Sequence, residues 1–228
     1  MPKVANVPKV ARSSPVYIEL GVKRAFACSL AWPGLARVAK TEQDALATLS
    51  SYLPRYGAVA ARAAVPCELD QRWEVLERVP TRSGGADFGV PTTVLGSDSK
   101  PVGEAEAKRT AALLQASWES FDDVVARSAE ALRKGPRGGG RDRDQIVGHV
   151  AGAEQMFAGR VGLKLPVPAP GNEAAVLSNR EALLAWCSSG QALAGANPGW
   201  PPRYAARRLI WHVLDHMWEI EDRQPGRQ

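Results

Sequence analysis

The sequence predicts an α+β protein, with a small N-terminal β-β-β-α module followed by a C-terminal four-helix up-down bundle. Two observations predict this. Before about residue 100, short runs rich in β-formers surround one helical stretch; after it, the pattern is helical almost to the end. Strong breakers then cut the second part into four segments: GPRGGG at 135–140, prolines at 166, 168 and 170, and NPGWPP at 197–202. The predicted division is a disordered tail over 1–14, a module over 15–98 and a bundle over 103–228, with the Ser-, Asp-, Pro- and Gly-containing stretch 96–103 as linker.

The elements follow in order. MPKVANVPKVARSSP is basic, holds three prolines and lacks the apolar run of a secretory signal, so it is expected to be a disordered tail. VYIEL (16–20) alternates and reads as a strand ended by Gly21. RAFACSLAW (24–32) is a second, with Phe26, Cys28 and Leu30 on one face. Pro33-Gly34 marks a turn, and 35–39 is a short third strand. Thr41 caps a helix opening TEQDALATL, its acidic first turn matching the helix dipole. Pro54 is expected to interrupt that helix, leaving a second segment over 55–64. WEVLERV (73–79) and 90–95 are further strand candidates. The bundle helices are predicted over 104–134, 142–163, 173–193 and 203–222.

Composition narrows the function. Hydrophobic residues make up 45% of the chain, which suffices for a core, and no apolar run reaches the length of a membrane span. The net charge of +5 comes without a long basic run, so charge does not point to nucleic acid. Cys28, Cys67 and Cys187 are widely spaced and form no CxxC, which reads as three reduced thiols in a cytoplasmic protein.

All three histidines of the chain fall in the helical half. His212 and His216 lie four apart in WHVLDHMWEIEDR and so share a helical face. His149 lies in DQIVGHVAGAEQMF, and it approaches that pair if the second and fourth bundle helices are neighbours. Three imidazoles suit zinc, nickel, copper or ferrous iron, and they leave a position for water or substrate, the mark of a catalytic site. The spacing alone also fits partly buried histidines bonded to carboxylates. Asp215 and Glu219 are near. Glu219 either orients an imidazole or acts as a base, or is a solvated residue paired with arginine. Arg207 and Arg208, one turn before His212, and the basic GPRGGGRDRD loop either hold an anionic substrate or are ordinary surface groups.

IVGHVAGAEQMF followed by HVLDHMWEIEDR resembles the DinB/YfiT-like family over residues 104–224. The resemblance implies a four-helix bundle with His149, His212 and His216 as metal ligands and Glu154 at a position where the family often carries an acidic residue. It implies zinc or nickel as cofactor. It also implies an S-transferase or isomerase activity using mycothiol, bacillithiol or glutathione, in which a metal-held thiolate attacks an electrophile. Homodimers are expected, and the family also contains members without known activity. Residues 16–53, with LAWPGLARVAKTEQDALATL, resemble HicB-like domains: three strands packed on one helix. That resemblance implies a regulatory, oligomerising or substrate-covering module. It supports the alternative of a non-catalytic protein that engages a protein or nucleic-acid partner.

Overall fold

The computed structural model describes residues 12–82, 84–135, 139–191 and 199–226. The protein is α+β, with a small N-terminal sheet, a helix on it, and four further helices. Strands β1 (Arg12–Leu20), β2 (Ala25–Ser29) and β3 (Ala36–Ala39) precede α1 (Glu42–Arg62) and β4 (Gln71–Pro80). The sheet order is β3-β2-β1-β4, and the β1–β4 pair is parallel. The module is therefore β-β-β-α-β rather than β-β-β-α: α1 is the crossover that a parallel pair requires, and 73–79 is its fourth strand.

Strand β1 begins earlier than expected. Arg12, Ser13 and Ser14 of the predicted disordered tail pair with Gln71, Arg72 and Trp73, and Ser13 Oγ donates to Glu74 Oε2 at 2.8 Å. A partner strand that is remote in sequence orders this polar segment; the rest of the predicted tail lies outside the described residues.

The sheet is covered on both faces. Val16, Ile18, Ala25 and Ala27 join the main core with the α1 stripe Ala45, Leu49, Leu53 and Tyr56. Tyr17, Phe26, Cys28 and Ala36 face the opposite way, toward Ala86, Leu95 and Trp211, with Leu30 packed against them. The α1 stripe also explains why Pro54 does not end the helix. Thr41 Oγ1 caps it by accepting from Asp44 N at 3.1 Å, and buried side chains lie on both sides of the proline. Packing on the sheet offsets the lost backbone hydrogen bond.

Residues 90–95 form no strand. The backbone N–H groups of Thr92 and Thr93, which a ladder would use, donate instead to the fully buried Glu19 carboxylate at 2.9–3.1 Å. Pro91 removes another donor.

The remaining helices are α2 (Glu104–Arg127), α3 (Arg143–Arg160), α4 (Glu173–Ser189) and α5 (Pro202–Asp222). Helix α2 stops before the predicted 134 because Ser128 is extended and its carbonyl accepts from Arg143 Nη1 at 2.8 Å. Helices α3 and α4 likewise end short of 163 and 193. Among these four helices the main contacts are α2 with α4 and α5, and α3 with α4 and α5; α2 also packs on α1. Long connections around 128–142 and 161–172 allow helices that are not consecutive to lie side by side.

The predicted linker is held firmly. Residues Gly96–Ser99 form a turn of 3-10 helix. Arg203 donates to the carbonyls of Ser97, Lys100 and Pro101 and pairs with Glu106, while Arg207 grips Asp98. One continuous core includes Ile18 and Leu49 from the N-terminal part and Leu114 and Leu214 from the C-terminal helices.

Gly34 fixes how close α5 can come. It has φ +89°, and a Cβ there would lie 2.3 Å from Ile210 Cγ2 and 3.0 Å from the Ile210 backbone. Gly34→Ala combines left-handed strain with overpacking against a helix, an expected loss of about 2–4 kcal/mol. Gly152→Ala, where a Cβ meets nothing within 4 Å, should instead gain about 0.5–1 kcal/mol. Urea denaturation of the two variants checks the pair; equal effects would remove the close-approach explanation.

Candidate metal centre

Helix α3 supplies His149 and α5 supplies His212 and His216. The four-residue spacing puts the α5 pair on one stripe with ring centres 4.6 Å apart. The packing of α3 against α5 brings His149 to within 5.0 Å and 4.8 Å of these rings, centre to centre. Nε2 of His149 and Nε2 of His212 are 3.2 Å apart. The ligand atoms of all three imidazoles lie within 4.8 Å of one another.

This geometry passes a simple test of fit. Tetrahedral zinc with Zn–N bonds of about 2.0–2.1 Å separates its nitrogens by about 3.4 Å. The close pair is already near that value, and small side-chain rotations accommodate the third. His212 is buried, and its Nδ1 has no hydrogen-bond partner. Burial, together with His216 and His149, depresses the pKa of His212 to about 2, and burial and His216 lower that of His149. Both are therefore held neutral, with lone pairs available to a cation.

The titration carries a stability consequence. His212 ionises near 6.5 in an unfolded chain but resists protonation when folded. Below about pH 6.5 the unfolded state binds the extra proton, so the metal-free protein loses stability as pH falls. Relative to a His212→Gln variant, the parent should lose up to about 1.4 kcal/mol per pH unit between pH 6 and 4.5. A difference that stays flat in urea titrations across that range would contradict a neutral, buried His212.

The acidic neighbours divide their work. Glu219 Oε2 meets His216 Nδ1 at 2.8 Å, and its other oxygen pairs with Arg223 at 2.5 Å. Burial would raise the Glu219 pKa, but the hydrogen bond to His216 and the Arg223 charge outweigh it and keep the carboxyl ionised. As an acceptor it fixes the proton of His216 on Nδ1 and leaves Nε2 free. Asp215 instead receives Arg37 of β3 at 2.9 Å. Glu154 is buried elsewhere on α3, accepting from Trp118 Nε1 at 2.6 Å and Arg180 Nε at 3.3 Å. Five residues from His149, it points to a different helical face.

The chain matches no family model, no curated protein and no solved structure. The residues of the site thus stand on their geometry alone.

Two neighbours escaped the sequence reading. Phe157 packs edge-on against His212, with ring centres 5.5 Å apart, and Trp200 packs on Phe157 at 5.3 Å with its ring tilted by 39°. Phe157 lies eight residues after His149, which is a same-face spacing and was the available signal. Arg141, from the basic loop, lies within electrostatic reach of His149 and His212. The start of α3 already carries the Asp142 carboxylate, which is paired with Lys134 at 2.7 Å and whose charge opposes an anion there. Residues 136–138 of that loop lie outside the described residues. The three cysteines are free. Burial pushes the thiols of Cys28 and Cys187 up to about 12 and raises that of Cys67, so none is poised as a nucleophile.

Proposed function

We propose that the protein binds one divalent metal ion, zinc or nickel, on His149, His212 and His216. We further propose that it acts as a metal-dependent thiol S-transferase or isomerase. The observation that carries this reading is the convergence of all three histidines of the chain where α3 meets α5. The proposal includes the DinB-like affiliation and the bundle architecture of α2–α5.

A divalent ion on three imidazoles, with a position left open, supplies a Lewis acid that keeps a thiol deprotonated at neutral pH. The chain's own groups supply the rest. Glu219 takes the Nδ1 proton of His216 in a hydrogen bond and leaves Nε2 as the free lone pair. The paired Phe157 and Trp200 rings exclude water on the His212 side. Since the chain's own thiols are held protonated, the reacting thiol comes from outside, as a low-molecular-weight co-substrate such as mycothiol. Free cysteines and a thiol co-substrate suit a reducing compartment, the cytoplasm. No helix among the described residues is long and apolar enough to cross a membrane.

The test is zinc- or nickel-loaded protein incubated with mycothiol, bacillithiol or glutathione and a broad panel of electrophiles. Metal-dependent acceleration of conjugation or isomerisation is expected. A protein that holds metal and accelerates none of them loses the enzymatic reading.

The alternative is a non-catalytic protein whose HicB-like module binds a partner. It draws on the sheet edge at β4, where Leu76 is exposed. A pull-down and a gel shift that both find no partner would leave it without support.

A further inference from the structure

We infer that the seam between the sheet and α5 contains a binding site for one carboxylate group, received by Arg208 and Trp211. Both side chains are buried, with 8% and 5% exposure. Arg208 Nε and Nη1 and Trp211 Nε1 all lack a hydrogen-bond partner. These atoms are donors only. They lie close together, the Arg208 guanidinium carbon sitting 4.7 Å from the centre of the Trp211 ring.

Both residues line one cavity, which Tyr17, Cys28, Tyr204 and Arg207 also border. The cavity is small, about 20 Å³, which is room for one water-sized group or the head of a carboxylate and not for a whole large ligand.

Among the described residues Arg208 makes no ion pair, and Glu19 acts on it only through space. Arg207 is matched by the buried Asp98 through both of its terminal nitrogens. Glu19 is saturated by Thr81, Thr92 and Thr93. Burial lowers the Arg208 pKa, with Tyr204, Tyr17 and Glu19 opposing it, yet a guanidinium stays ionised. A buried cation without a contacting counter-ion is costly. Water would satisfy its N–H groups but not its charge. A carboxylate does both, because one oxygen accepts from an unpartnered Arg208 N–H and the other from the indole N–H, with its charge against the guanidinium.

The site uses no histidine, and its cavity is bordered by Tyr17 and Cys28 of the sheet; Arg208 also lies 5.6 Å from the ring of Phe157 on α3, which packs against His212. Its test is the ¹H–¹⁵N spectrum of the full chain titrated with sodium formate against sodium chloride at equal ionic strength. The Trp211 indole signal is assigned by its loss in Trp211→Phe. A saturable formate-dependent shift of that signal is expected in the parent. Arg208→Met should weaken formate binding at least tenfold, and Arg208→Lys, which keeps the charge without the planar guanidinium, should weaken it less. The other indole signals report whether each variant is folded. Benzoate tells an enclosed pocket, which admits formate alone, from one that takes the carboxylate end of a larger molecule. No saturable shift in the parent, meaning that water alone fills the cavity, overturns the inference. An unchanged shift in folded Arg208→Met does so as well.

Discussion

His212→Ala/His216→Ala is expected to lose essentially all the metal that the parent protein retains. The parent should carry close to one equivalent of zinc or nickel when untagged protein is measured by mass spectrometry, and the double variant almost none. The two substitutions leave His149 as the one imidazole, and a single neutral donor holds a divalent ion weakly. Glu219→Gln should fall between, weakening binding roughly 10–100-fold by loosening the hold on His216. A parent that remains metal-free after incubation with zinc or nickel would end the metal centre and the thiol chemistry together. The partner-binding reading would then be the better account.

The second large effect concerns the buried ion pair. Asp98 is fully buried, and its carboxylate takes both terminal nitrogens of Arg207 and the N–H of Leu95 at 2.8 Å. Arg207→Met leaves that carboxylate buried without a counter-ion, an expected cost of about 3–5 kcal/mol. For a chain of this size, that lowers the melting temperature by roughly 6–20 °C. Adding Asp98→Asn removes the stranded charge and should restore much of the loss. If the single variant melts within about 2 °C of the parent, the pair is not holding 96–99 against α5.

Local patterns were legible where local forces decide. Alternation gave the faces of β2, with Phe26 and Cys28 on one side. Thr41 and the acidic first turn gave the start of α1. The four-residue spacing put His212 and His216 on one stripe. Long-range partners were not legible. Arg12–Ser14 become strand only because Gln71–Trp73 come to lie beside them. Residues 90–95 look like a strand, but their N–H groups go to Glu19, more than seventy residues earlier. Pro54 carries a real local cost, yet a buried stripe spanning it decides the outcome. Of the acidic candidates, Glu219 sits within the same helix as its histidine and reaches it, whereas Asp215 is claimed by Arg37, whose position sequence spacing does not reveal. Arg207 and Arg208 read alike in sequence, and the fold makes one a paired structural ion and the other a buried cation with two N–H groups left without a partner among the described residues.

The covering of the Tyr17, Phe26 and Cys28 face by Trp211 has a consequence for biosynthesis. Trp211 leaves the ribosome roughly 170 residues after the first three strands, an interval of roughly 10–35 s at ordinary elongation rates. Until then that face has only Ala86 and Leu95 of the segment after β4 to cover it, and α1 shields the other face. The chain cannot complete its fold in instalments; it must wait for its last helix. Slower translation lengthens the exposure, and a holdase that occupies this face during synthesis is expected to raise the yield of folded protein.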